Sequence, residues 1–211
     1  MLNTISHINI VRIGECITYS SLKEIGEKIL ESFQGMIEEF QISHHEAPAV
    51  NAIDALLLTM ILHEEIGGHV LGITDADLTT KDEDEFYNTI FGGKNDMNHV
   101  AVVSTKRLSP SNVTTEADYD LYVERTLKVS LHEVGHNFGL TDHASYKMAS
   151  DGSLCPMSRG EFNKFGHLGY IRAIIDGRGH NFCDECTHFL NKFRPFQHRF
   201  ARLLKDKCTL H

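Results

Sequence analysis

The segment SLHEVGHNFGLTDH, residues 130–143, sets His132, Glu133 and His136 in the spacing H-E-x-x-H. Residues four apart share one face of a helix, so both imidazoles can address a single metal ion. Glu133 stands beside them, where a carboxylate can take a proton from a water that the metal polarises. That is the division of labour of a zinc hydrolase. Gly139 comes three residues after His136, and a glycine can end a helix in the left-handed conformation and turn the chain back beneath the metal. The return offers Asp142 or His143 as a third ligand. A surface helix with two solvated histidines has no use for such an extension.

Upstream of the motif, Thr115 and Asp118 form a capping-box pair. Ala117, Leu121, Leu127, Leu131, Val134 and Phe138 then keep helical spacing as far as Gly139, which predicts one long helix with its far face on a sheet. The strands are expected at Ile8–Ile13, Gln41–Ser43, His69–Thr74, Phe86–Phe91 (ended by Gly92 and Gly93) and His99–Ser104, the most apolar and β-branched of them. An amphipathic helix is expected from Leu22 to Phe40, and a helix buried all round from Asn51 to Glu65. Asp75 and Asp77 read as turn caps, Lys81–Glu85 as a charged loop and Pro48 as a break. His63 and His69 read as structural. The alternation of strands and helices implies an α/β (α+β) fold, a twisted mixed sheet covered by helices. A last helix, kinked at Pro195, is expected from Asp184 onward.

The 211 residues suit one domain with a substantial core. A net charge of -9 argues against a nucleic-acid partner. The longest apolar run, Ala55–Leu62, is too short for a membrane span. The first residues show no secretory signal and no propeptide, so latency through a cysteine switch is not expected. Five unevenly spaced cysteines, Cys16, Cys155, Cys183, Cys186 and Cys208, disfavour a disulfide framework and favour a reducing, cytoplasmic setting with metal thiolates. Cys183 and Cys186 form a C-x-x-C that could be a redox dithiol, but a third cysteine upstream in a C-x-M context makes zinc the better reading. Cys16 is expected to be buried near a strand end, Cys208 to be exposed. Most other histidines, among them His44, His45 and His211, carry no expected role. His167, His180 and His188 remain possible replacement ligands.

The motif, its glycine and the elements Cys155-Pro-Met157 and Cys183-Asp-Glu-Cys186 resemble the metzincin metallopeptidases, and within them the archaemetzincins, which carry a second, cysteine-bound zinc. The stretch Leu71–Leu78 and Val102-Val103-Ser104, followed by Arg107-Leu108, resembles that family too. The resemblance implies two zinc ions per chain and a peptide or protein substrate. His132 and His136 would hold the catalytic zinc, with Glu133 as general base and Met157 as the methionine flooring the site. The third-ligand position, usually histidine, is Asp142 here, and the next, commonly the first cysteine of the second site, is His143. Two assignments stay open. In one, Asp142 completes the catalytic site and His143 joins Cys155, Cys183 and Cys186; in the other, His143 completes it and Asp142 supports an imidazole. Counting ligands favours the first, which leaves the catalytic zinc a weaker Lewis acid.

The expected whole is one metallopeptidase domain over 1–211, a sheet-and-helix upper part at 1–139 and a zinc-stapled lower part at 140–211. The function expected is zinc-dependent hydrolysis of peptide bonds, with an edge strand, taken as His99–Ser104, aligning an extended peptide. The alternative is a zinc-stabilised binding protein with the same fold and little activity.

Overall fold

The computed structural model describes residues 7–46, 50–80, 90–95, 97–110, 113–159 and 162–193. Its strands are β1 (His7–Ile13), β2 (Glu39–His45), β3 (Ala52–Asp54), β4 (His69–Thr74), β5 (Asp77–Thr79), β6 (Gly92–Asn95) and β7 (Val100–Ser104). Its helices are α1 (Tyr19–Ser32), α2 (Ala55–Ile66), α3 (Glu116–Asn137), α4 (Phe162–Tyr170), which is kinked at Gly166, a π-helical turn (Ile171–Ile175) and α5 (Asp184–Phe193). Five strands form one sheet in the order β2-β1-β4-β7-β6. The first four run parallel and β6 runs antiparallel to β7. This is the mixed sheet with covering helices that the sequence predicts.

Period-2 alternation sorts the sheet's side chains between two cores. Ile8, Ile10, Leu71, Ile73, Ala101 and Val103 pack with α1 and α3 on one face. Val11, Ile13, Val70, Val100 and Val102 meet Ala55, Leu58 and Leu62 of α2 on the other. Both faces are covered, so β7 is buried at every residue. Apolar runs of this kind are what parallel strands need.

Five local expectations are corrected. The helix expected to reach Phe40 stops at Ser32, where Gly35 takes φ 80 and turns the chain, and Phe40 belongs to β2. Phe33, Met36 and Ile37 stay buried in the same core. Their spacing therefore mimics a longer helix. The helix expected from Asn51 begins at Ala55, because Asp54 accepts a hydrogen bond from the Leu57 N–H and caps it. It is buried on one face only: Leu56, Leu57 and Met60 are 56%, 52% and 45% exposed. Asp77 caps no turn; it lies in β5 and accepts from Arg107 at 2.9 Å. Gly92 and Gly93 open β6 instead of ending a strand. β7 pairs on both sides, so the edge strand at this end of the sheet is β6, with β2 at the other.

Residues 47–49, 81–89 and 194–211 lie outside the described residues. The expectations at Pro48, Lys81–Glu85, the first part of Phe86–Phe91, Pro195 and Cys208 fall there. No described helix is long and apolar enough to cross a membrane.

Candidate metal centres and cleft

The capping box expected at Thr115 and Asp118 is present, each side chain bonded to the other's backbone N–H. It starts a helix of 22 residues. Beyond its middle α3 is sealed nearly all round, with His132 8%, Glu133 7% and His136 9% exposed. A helix packed on the sheet behind and on the lower chain in front holds its side chains in fixed rotamers. At its end Gly139 takes φ 84 and donates to the His136 carbonyl at 2.8 Å. A side chain there would be strained. The reversal carries Leu140 back so that its carbonyl accepts from His136 Nδ1 at 2.8 Å, while the Pro156 carbonyl accepts from His132 Nδ1 at 2.9 Å.

Those two bonds fix both tautomers, because an Nδ1 that donates leaves Nε2 as a bare lone pair. Both Nε2 atoms face Asp142 Oδ1, at 3.4 Å from His132 and 3.3 Å from His136. That oxygen is buried and without a hydrogen-bond partner among the described residues. Three lone-pair atoms converging on one point fit a cation. The electrostatics agree. Burial, then the Arg178 and His136 charges, hold His132 far below the usual imidazole range. Burial also opposes charge on His136, but Asp142 and Glu133 outweigh it and raise that pKa. For Asp142, burial is outweighed by both imidazoles and Arg159, which hold the carboxyl below its ordinary value.

Asp142 and His143 are consecutive, yet their side chains go to different clusters. His143 Nε2 lies 3.2 Å from Cys186 Sγ and 3.3 Å from Cys183 Sγ, and Cys155 Sγ is 3.9 Å from Cys186 Sγ. The donor atoms of these four buried residues lie within 4.8 Å of one another, and the cysteines are free thiols. Backbone bonds lace the cluster together. His143 N–H donates to the Met157 carbonyl at 2.9 Å, and Leu154 N–H and Gly179 N–H bond across to Gly177 and Leu154. Sulfurs this close cannot all ionise alone. A hydrogen bond from Cys186 draws Cys155 down to about 5, and the same bond pushes Cys186 up. Three thiolates and an imidazole are a donor set that zinc accepts, and a cation would relieve the repulsion.

Met157 is fully buried under α3; a Cβ on Gly135 would come within 2.6 Å of its sulfur. Only a glycine lets the methionine pass between the turns bearing the two histidines. On the opposite side, a Cβ on Gly92 would come within 2.5 Å of Glu133 Oε1. The first residue of the edge strand therefore borders the carboxylate. Burial raises Glu133 to about 7.

An open cleft joins these parts, lined by Gly92, Lys94, Glu133, Asp142, Arg159, Tyr170 and Arg178 among others. Arg159 donates to Asp142 Oδ2 at 3.3 Å. Arg178, only 3% exposed, donates through Nε and Nη2 to the Ser158 carbonyl at 3.1 and 2.8 Å, and through Nη2 to the Tyr170 hydroxyl at 3.5 Å. The sequence reading missed Arg178, Tyr170 and Gly92. Arg178 sits between glycines in a short turn with no motif around it, and Gly92 reads as a strand end. The other histidines stay out of both clusters among the described residues: His180 pairs with Glu124, His167 meets the Phe91 ring, and His188 is exposed. His69, read as structural, stacks on His99 at 4.5 Å, and burial lowers it to about 4. Cys16 is half-buried past the end of β1, donating to the Ile73 carbonyl.

Residues 49–153 match the model of peptidase family M54. The archaemetzincin of Methanopyrus kandleri is 31% identical over 123 residues, 58% of this chain and 55% of that protein. That of Thermococcus kodakarensis is 39% identical over 71 residues, 34% of this chain and 36% of its own. The aligned stretches thus span about half or less of these relatives. The crystal structure of the M. kandleri archaemetzincin superposes with a TM-score of 0.66 at 24% identity, covering 90% of this chain and 96% of that one. The archaemetzincin of Archaeoglobus fulgidus gives 0.58 at 21% identity, over 87% and 99%. The fold is therefore metzincin-like. In sequence over about half its length, and in fold over most of it, the chain is similar to the archaemetzincins.

Proposed function

We propose that the chain is a zinc-dependent peptidase in which His132, His136 and Asp142 hold a catalytic zinc and Glu133 is the general base. His143, Cys155, Cys183 and Cys186 hold a second, structural zinc, and Met157 floors the first site. One observation carries this reading: two imidazole Nε2 atoms and a carboxylate oxygen converge at the wall of an open cleft, with Glu133 beside them. Zinc bound there would polarise the peptide carbonyl and ease deprotonation of water. Glu133 accepts the water's proton and returns it to the departing amine. β6 is the last strand of the sheet and its first three residues line the cleft, so an extended peptide can add to the sheet there.

The four-donor cluster lacks an open position and is buried throughout, as a structural site should be. Splitting Asp142 from His143 gives each centre its donors without a shared residue. The family name and the zinc chemistry of the donors support the metal; the count of two ions rests on the two clusters. The substrate is a peptide or protein, the protein acts in the cytoplasm, and the described residues work as one domain.

The test is turnover of a mixed peptide pool by zinc-loaded protein, with and without chelator. Glu133→Ala should cost roughly 10²–10⁴-fold in rate while leaving the zinc content unchanged. A pool left untouched by the zinc-loaded wild type refutes the peptidase reading in favour of a zinc-stabilised binding protein.

A further inference from the structure

We propose that Arg178 selects substrates bearing a carboxylate next to the cleaved bond, either an acidic side chain or a free C-terminus. This rests on the peptidase reading above. Arginine stays charged at every relevant pH, and burying such a charge without a counter-ion is costly. Other arginines within the fold avoid that cost: Arg125 forks onto both Asp176 oxygens, Arg107 pairs with Asp77 and Arg12 with Glu15. Arg178 is among the most buried of all, yet it meets only the neutral Ser158 carbonyl and Tyr170 hydroxyl and has no carboxylate partner among the described residues.

Its geometry leaves a vacancy of one kind. Nε and Nη2 are tied to Ser158, which fixes the plane of the guanidinium. Nη1 has no hydrogen bond among the described residues and is not among the sealed, unpartnered atoms. It is therefore not sealed, and Arg178 lines the cleft. A planar, held guanidinium with a free nitrogen is the arrangement that accepts a carboxylate. The charge also lies close to the chemistry, since Arg178 lines the same cleft as His132, Glu133 and Asp142.

The surroundings point the same way. The chain carries a net charge of -9, but Lys94, Arg159 and Arg178 gather at this cleft. Among the described residues, the carboxylates lining it are Asp142 and Glu133, both assigned to the reaction. A concave, cationic surface on an acidic protein concentrates anionic ligands there.

The test uses zinc-loaded Glu133→Gln protein, which keeps the cleft but lacks the base. Calorimetry compares binding of a neutral heptapeptide amide, the same peptide as its free acid, and amides with one aspartate scanned along the sequence. One of the carboxylate-bearing peptides should bind about ten- to a hundredfold tighter than the neutral amide. Adding Arg178→Gln, which can still donate to the Ser158 carbonyl, should erase that difference and leave the neutral amide unchanged. Arg178→Lys should retain part of it. The free-acid and aspartate arms show which carboxylate is read.

Equal binding of all peptides by the Arg178 form overturns the proposal. So does an equal loss for acidic and neutral peptides in Arg178→Gln, which would make Arg178 only a clamp on Ser158. If the glutamine variant does not fold, the arginine form's own acid-to-amide ratio, and its fall with salt, decide. A carboxylate preference in binding with no cleavage by the Glu133 protein would sink the peptidase reading alone.

Discussion

The two donor clusters differ in everything but their proximity. His143, Cys155, Cys183 and Cys186 are all buried, their atoms drawn from three separated stretches and laced by backbone hydrogen bonds. His132, His136 and Asp142 come from one helix and the turn after it, and they open on a cleft. The closed cluster ties together three stretches of chain that lie far apart in sequence. The open one is built on a helix already held by the sheet. A metal in the first should therefore act on folding, and a metal in the second on chemistry.

The sharpest way to break that contrast is Cys183→Ser. It should lower stability by more than about 4 kcal/mol or abolish cooperative unfolding, because metal binding at such a site is folding energy. Thermal melting with zinc counting checks it. A variant that melts like wild type would mean that the thiolates hold nothing the fold needs. Asp142→Ala should do the reverse: zinc content falls by one ion, peptide turnover disappears and the melting temperature barely moves. Equal destabilisation by both variants would erase the distinction.

Much of this contrast was legible beforehand. The H-E-x-x-H spacing, the glycine after it and the capping box at Thr115 each act locally, so α3 and its turn follow from neighbouring residues alone. The parallel strands β1, β4 and β7 announced themselves as short β-branched runs. What stayed hidden depends on distant packing. Periodicity carried α1 past Ser32 because Phe33, Met36 and Ile37 enter the same core from a turn. The apolar surround of α2 suggested full burial, but its outer face has no covering layer among the described residues. The edge strand was misplaced because β6 is glycine-rich and lacks the β-branched signal of its neighbour β7. Arg178 is recognisable only once the chain brings it to Ser158.

A finer test concerns the border between sheet and base. Gly92→Ala puts a methyl group into the space of Glu133 Oε1, and overpacking of this kind costs about 1–3 kcal/mol. The larger signature should be in rate, since the carboxylate itself must move; kinetics and melting on the same sample separate the two. Activity equal to wild type would show that Glu133 can relocate freely.

The smallest effect is expected at the hydrogen bond between His180 and Glu124, which tethers the lower chain to α3 at 3.0 Å. Both side chains are about a third exposed, so Glu124→Gln should cost no more than about 1 kcal/mol. The His180 hydrogen bond holds the Glu124 carboxyl below its ordinary 4.5. A depressed acid contributes stability above its unfolded pKa and loses it as pH falls through the folded value. The melting gap between wild type and variant should therefore be present at pH 7 and close in acid; a gap that persists there would point to packing.

Asp142 and His143 are joined by a single peptide bond, and each faces a different centre. Substitution at either position harms one site and spares the other. Adding or deleting one residue between Gly139 and Asp142 is a different kind of injury, because it shifts the frame of both at once. The turn therefore tolerates changes of letter far better than changes of length.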